Sequence, residues 1–268
     1  MAEFPVVKGH ALRATRVNSC GLPIEGPLGY LATKGFVSFA MSPVMKDAEE
    51  LTQNNAEGRE CVSERTPPER KWYNLTLTLC GVNTALIAMF SGWEQVLDWE
   101  GNAVGFRDQK EVESDYGVAI EIWSGGSAED DCAVPDDDTI FDSVTSGKSY
   151  GYFLTFGKEW TLGDIEISAA VANFTLTGIS FAAPQWGRGP WNVVPTDASG
   201  TPGRLITALN NDQHYEVQRT SVAPPAPTPA GVACPLAIKT LFTAPSTKYF
   251  GADAVDVAPA QAACVATP

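Results

Sequence analysis

Hydrophobic residues recur at every second position in four separate stretches of this chain. Tyr73, Leu75, Leu77 and Leu79 alternate with Asn74, Thr76 and Thr78. Val37, Phe39 and Met41 alternate with Ser38 and Ala40, and Val118, Ile120 and Ile122 with Ala119 and Glu121. Tyr152, Leu154 and Phe156 complete the set. A period of two places successive side chains on opposite faces of an extended chain, so each stretch predicts a β-strand with one buried face. Between Ile165 and Gly178 the phase slips: Ile165 and Ile167 fall in one register, Phe174 and Leu176 in the other. A bulge or break near Ala169-Ala170 would account for that. With 24 Gly and 19 Pro the chain has ample material for the tight turns that many short strands need.

Only one helix is expected. Asn83 can cap a helix over Thr84 to Ser91, and Gly92 can end it. Its run from Ala85 to Phe90 is apolar nearly all round, so the helix should pack on a sheet. Lys46 to Asn54 reads equally as a charged helical turn or a polar strand. Gly101-Asn102, after Asp98-Trp99-Glu100, reads as a turn. Ser124 to Ser149 reads as a long acidic loop, and Trp186 to Trp191 as a rigid aromatic one.

The chain has 268 residues, enough for one large β domain or two small ones. A Pro-rich spacer begins at Ala223, so residues 1–222 are read as a β domain with an N-terminal arm and 223–268 as a linker and C-terminal extension. In that extension Leu236, Ile238, Leu241 and Phe242 are too few for a core of their own. They are expected to dock on the main domain or on a neighbouring copy.

The net charge is −14, and all of the excess lies before Ala223. Such a chain does not hold nucleic acid by neutralising phosphates. A like-charged wall instead repels DNA, as a conduit requires, and the same charge also serves simple solubility. The opening MAEFPVVKGHALRATR has no signal-peptide core, and no apolar run is long enough to span a membrane, so folding in a cytoplasm is expected. Six Cys are widely spaced with no C-x-x-C pair, which argues against a zinc or redox motif. Reduced, partly buried thiols are the simpler reading, with one or two disulfides as the alternative.

Catalytic motifs are missing. Gly147-Lys148-Ser149 resembles the end of a phosphate-binding loop, but Asp142 stands where the first Gly belongs, and Tyr150, Tyr152 and Leu154 continue as a strand rather than a helix. There is no G-x-S-x-G and no H-E-x-x-H. The two histidines are placed in an arm (His10) and at a strand end (His214). The Asp136-Asp137-Asp138 run lacks EF-hand spacing and reads as a solvated loop. Asn74 and Asn173 head formal glycosylation sequons inside expected strands and are discounted. Glu94, Asp98 and Glu100, near Trp93 and Trp99, are the best carboxylates for glycoside hydrolysis, but nothing else supports that reading. No catalytic, cofactor-binding or metal-binding residues are assigned, no cofactor is expected, and the chain is read as a non-enzyme.

The order and spacing of several segments carry a resemblance. They are Arg13-Ala14-Thr15-Arg16-Val17 with Cys20-Gly21-Leu22-Pro23; Thr33 to Ser38; Glu49-Glu50 with Asn54 to Val62; Lys71 to Leu75 running to Cys80-Gly81-Val82-Asn83; Gly117 to Trp123; Tyr150-Gly151-Tyr152; Trp186 to Trp191; and Val222 to Pro225. As a set, over residues 10 to 230, they resemble the major tail proteins of actinobacterial siphophages. The resemblance implies a tail-tube β-sandwich of two packed sheets with a flanking helix, closing as six-membered rings that stack into a tube. It implies that double-stranded DNA passes down the lumen without specific binding. It also implies tape measure, tail terminator and distal tail proteins as partners, no membrane partner, and a place in the virion after assembly in the host cytoplasm. Residues 231–268 match nothing in that pattern. The main alternative is a β-sandwich binding or decoration module on the virion surface that recognises host carbohydrate or protein. A cell-wall hydrolase using Glu94, Asp98 or Glu100 is the second.

Overall fold

The computed structural model describes residues 8–125, 150–165, 173–183, 192–195, 202–204, 209–228 and 233–236. These residues form a β-sandwich with one short helix. In chain order the elements are β1 (Gly9–Asn18), β2 (Gly26–Thr33), β3 (Phe36–Lys46), β4 (Glu50–Asn54), β5 (Glu60–Arg65), β6 (Glu69–Leu79), α1 (Thr84–Ser91), β7 (Gln95–Leu97) and β8 (Ala103–Phe106). There follow β9 (Tyr116–Gly125), β10 (Tyr150–Leu162), β11 (Phe174–Ser180), β12 (Asn192–Pro195), β13 (Pro202–Arg204), β14 (Tyr215–Thr220) and β15 (Cys234–Leu236).

The two layers are halves of one nine-stranded sheet, ordered β15-β2-β1-β9-β10-β11-β6-β3, with β14 paired to β10 as well. Strand β10 is the corner. Its first half, from Tyr150 to Gly157, pairs with β9, and Tyr150 to Thr155 also pair with β14. Its second half, Gly157 to Leu162, pairs with β11 instead. The register shifts between Lys158 and Thr161, where Glu159 takes a positive φ of 56°. That bulge reverses the facing of the strand. Tyr152, Leu154 and Phe156 point into one core, whereas Trp160, in the same phase by sequence, points into the other.

The first core lies between the layers. Leu12, Ala14, Leu31, Val118 and Ile120 meet Leu75, Leu77, Leu79 and Leu176, with Trp160 among them. Complete burial of each such leucine contributes about 1.5–3 kcal/mol. Helix α1 packs into this core, and all eight of its residues are buried. The Asn83 side chain accepts a hydrogen bond from the Leu86 N–H (3.1 Å), and Gly92 adopts the left-handed conformation (φ 74°) while its N–H bonds Ala88 C=O, as the sequence leads one to expect. The second core covers the opposite face of β9 and β10, where Trp123, Tyr152, Leu154 and Phe156 meet Ala183, Val193 and Leu209. Strand β9 is therefore buried on both faces.

Strands form where expected at β6, β9 and β10, but only β6 keeps a single buried face; β9 and the first half of β10 are buried on both. On β3 the inward phase is corrected: Phe39 and Met41 pack on the core, but Val37 is 55% exposed. A bulge between Phe36 and Ser38 puts Phe36 inward in its place. Lys46 to Asn54 is extended rather than helical, as the end of β3 and the whole of β4. Ala169-Ala170 lies outside the described residues; on either side of it β10 and β11 are separate strands. Within the Pro-rich stretch Thr228 N–H bonds Ala32 C=O, and past it β15 pairs with β2, so this part of the extension docks on its own chain. Cys234 is disulfide-bonded, while Cys20, Cys61 and Cys80 are free and exposed rather than partly buried.

Three turns share one construction. In Asn18-Ser19-Cys20-Gly21-Leu22, Asn55-Ala56-Glu57-Gly58-Arg59 and Asp98-Trp99-Glu100-Gly101-Asn102, the first side chain accepts from the N–H groups two and four residues on. In each, the fourth residue is a glycine at positive φ whose N–H bonds the first residue's carbonyl.

Candidate assembly surface

The residues weighed for chemistry do not converge. Asp98 is a turn residue, and the N–H of Asn102 above all holds its carboxyl below the usual range. Glu94 lies 4.0 Å from Arg107, with both side chains exposed, and Glu100 reaches only Asn102. His10 sits beside Tyr150, with ring centroids 6.2 Å apart. Asp136 to Asp138, Asp142, Gly147 to Ser149 and Trp186 to Trp191 lie outside the described residues. Asn74 is within β6, and Asn173 immediately precedes β11. Among the described residues no three His, Cys, Asp or Glu side chains group as metal ligands, and no helix is long and apolar enough to cross a membrane.

One contact resembles a catalytic pair. Ser180 Oγ lies 2.7 Å from His214 Nδ1. Ser180, however, is only 3% exposed, and its oxygen already accepts the Tyr73 N–H at 2.8 Å. A nucleophile needs access to substrate, so the geometry is that of a clasp. It ties the end of β11 to the entry of β14, where β10 exchanges one neighbour for the other. Burial, with the nearby Arg70 cation, lowers the His214 pKa against the smaller opposing effect of Asp212.

A buried ion pair lies in the second core. Arg13 and Glu121 face each other across β1 and β9. Arg13 Nε donates to Glu121 Oε2 at 2.5 Å and Nη2 to Oε1 at 2.6 Å. Tyr152 donates its hydroxyl to Glu121 Oε1 at 2.7 Å, and Arg13 lies over the Trp123 ring. Burial, reinforced by the Glu121 charge, pushes the Tyr152 phenol well up. The sequence reading did not find this pair, because its members are 108 residues apart.

Two surface features stand out from the fold. The first is a projecting ribbon. Strands β3 and β6 pair from Phe36–Leu79 out to Lys46–Glu69, Thr66 N–H bonds Glu49 C=O, and β4 then pairs with β5 up to the Asn55–Arg59 turn. Every residue from Glu49 to Lys71 is exposed. Register places Leu51, Gln53, Val62 and Glu64 on one face and Glu50, Thr52, Ser63 and Arg65 on the other. The ribbon therefore has a small exposed apolar side (Leu51 60% exposed, Val62 48%).

The second feature is an apolar groove of about 460 Å³ where the two layers fail to close. Phe36, Phe39 and Met41 of β3 form one wall, and Ile122, Phe153 and Tyr215 of β9, β10 and β14 form the other. Among the described residues β3 pairs only with β6 and β14 only with β10, so a free strand edge borders each wall. A further recess, of about 520 Å³, is lined by Trp93 and Phe106, stacked with centroids 5.8 Å apart, together with Arg107 and Asp108. No protein-family model matches the chain, and no curated protein matches it significantly.

Proposed function

We propose that the chain is a structural subunit of a long-tailed phage, the tail-tube protein, which closes into six-membered rings stacked as a conduit for double-stranded DNA. The observation that carries the reading is the sandwich whose edges β3, β14 and β15 are unpaired among the described residues. An unprotected strand edge is a liability to a solitary protein and an interface to a subunit. The net charge of −14 supports a lumen that repels the DNA backbone. Sedimentation velocity over a concentration series tests the reading. Mass should grow in steps to hexamers and their multiples; a monomer at every concentration counts against it.

A second reading is favoured by one observation: Trp99 is 91% exposed at the tip of the β7–β8 turn, close in sequence to the Trp93–Phe106 recess. Aromatic faces beside Arg107 and Asp108 are suited to a sugar, as in a host-recognition module on the virion. Glycan binding that is lost on Trp93→Ala or Trp99→Ala, in a chain that stays monomeric, would select it.

A further inference from the structure

We propose that the apolar groove between β3 and β14 receives the β4–β5 ribbon of a second copy of this chain. The inference rests on the self-assembly reading above and names the contact that would drive it. Among the described residues the ribbon and the groove each lack a counterpart. On the ribbon, Leu51 and Val62 are diagonal neighbours on one face and stand in solvent. The groove presents Phe36, Phe39, Met41, Ile122 and Phe153 to a space of about 460 Å³, room for two or three aliphatic side chains. Among the described residues β3 and β14 each pair on one side only, so an entering strand can pair with their outer edges at its rims.

The ribbon cannot fill its own groove. It continues β3 outward, and Leu51 comes ten residues after Met41, the last groove residue on that strand, so it stands roughly 30 Å further along at strand rise. Thr66 N–H bonds Glu49 C=O across the break, and every residue from Glu49 to Lys71 is exposed, so the ribbon does not lie in its own groove. The ribbon can therefore enter this groove only on another copy, and the unbroken exposed stretch from Glu49 to Lys71 supplies the roughly 20–30 residues a side that a standard stable interface uses. A projection on one copy that meets a recess on the next makes a heterologous contact, which propagates into a closed ring or an open fibre rather than stopping at a two-fold dimer.

The test is complementation between two full-length variants, each altered only at exposed positions. The ribbon variant carries Leu51→Asp and Val62→Asp, and the groove variant carries Val37→Arg and Ser38→Arg. Circular dichroism and thermal melting confirm that each is folded. Each alone should associate about 100-fold more weakly than wild type, since each buried apolar contact is worth about a factor of ten. Mixed in equal amounts, they should form a heterodimer and nothing larger, because only one productive contact remains. A ribbon variant that assembles as wild type does, or a mixture that stays monomeric, overturns the inference. If the ribbon variant still forms rings or tubes, this contact falls while the tail-tube reading stands. If wild type forms no assembly at all, both fall.

Discussion

The Arg13–Glu121 pair shows how much one residue can weigh. Both charges are out of water, and each satisfies the other through two short hydrogen bonds, with Tyr152 adding a third to Glu121. Glu121→Gln removes the carboxylate that the buried guanidinium faces and should cost about 3–5 kcal/mol in urea denaturation. The double change Arg13→Met with Glu121→Leu should recover most of that loss, because apolar side chains of similar volume carry no desolvation penalty. Full stability in the single variant would mean that the pair contributes nothing. His214 supplies the pH dependence. Its folded pKa lies below its unfolded value, so the unfolded chain binds the proton first, and stability present above about pH 6.5 is lost as pH falls towards the folded pKa. Glu216 acts the other way: burial raises its folded pKa, so its contribution is lost as pH rises above the ordinary carboxylate range. The two effects oppose each other between pH 5 and 7.5, so the melting temperature of His214→Gln, which removes the acid-side loss, should fall less than that of wild type as pH drops from 7.5 to 5. An unchanged profile in that variant would remove His214 from the account. At this scale the sequence was partly legible. Asn83 and Gly92 announced the helix ends because capping is local chemistry. The Asn18, Asn55 and Asp98 turns share a pattern that reads from sequence once it is known, with Asn or Asp three residues before a Gly. The ion pair was hidden because only the fold brings Arg13 to Glu121.

Among the elements, β10 decides the architecture. It serves both layers, and the bulge at Glu159 swaps its faces, so that Phe156 enters one core and Trp160 the other. Trp160 fits because Gly157 and Gly178 lie beneath its ring: a Cβ on Gly157 would come within 2.4 Å of the indole, and one on Gly178 within 2.7 Å. Phe90 of α1 closes the site edge-on, with centroids 4.8 Å apart. Glu159 pays the conformational price, since a side chain at φ 56° costs about 1–3 kcal/mol. Glu159→Gly should therefore be neutral or stabilising, while Glu159→Val, β-branched at positive φ, should destabilise clearly. Equal effects of the two changes on the unfolding midpoint would show that the bulge is not strained. Period-two alternation found β6, β9 and β10 because each carries large apolar side chains on one face over several residues, but it did not reveal that β9 and the first half of β10 are buried on both faces. It misplaced Val37 and could not foresee Trp160, because a bulge inverts the phase that the alternation assumes. The β4–β5 ribbon left no clear signal, since a strand exposed on both faces has no reason to alternate.

For the molecule as a whole, charge opposes assembly and the exposed edges favour it. Copies that each carry −14 repel one another, and salt screens that repulsion. Raising ionic strength from about 0.01 M to about 0.1 M shortens the screening length from roughly 30 Å to about 10 Å. Self-association should strengthen over that range; association that weakens with salt would point instead to contacts made by opposite charges. The layered β architecture and, among the described residues, its single helix were legible from the sequence. The groove was not, because it comes from two layers that fail to meet at β3 and β14, which no single segment records. The most direct measurement is negative-stain electron microscopy of the purified full chain over a concentration series. The account predicts six-fold rings or hollow tubes that become more frequent with concentration. A field of separate monomers at every concentration and salt would contradict it.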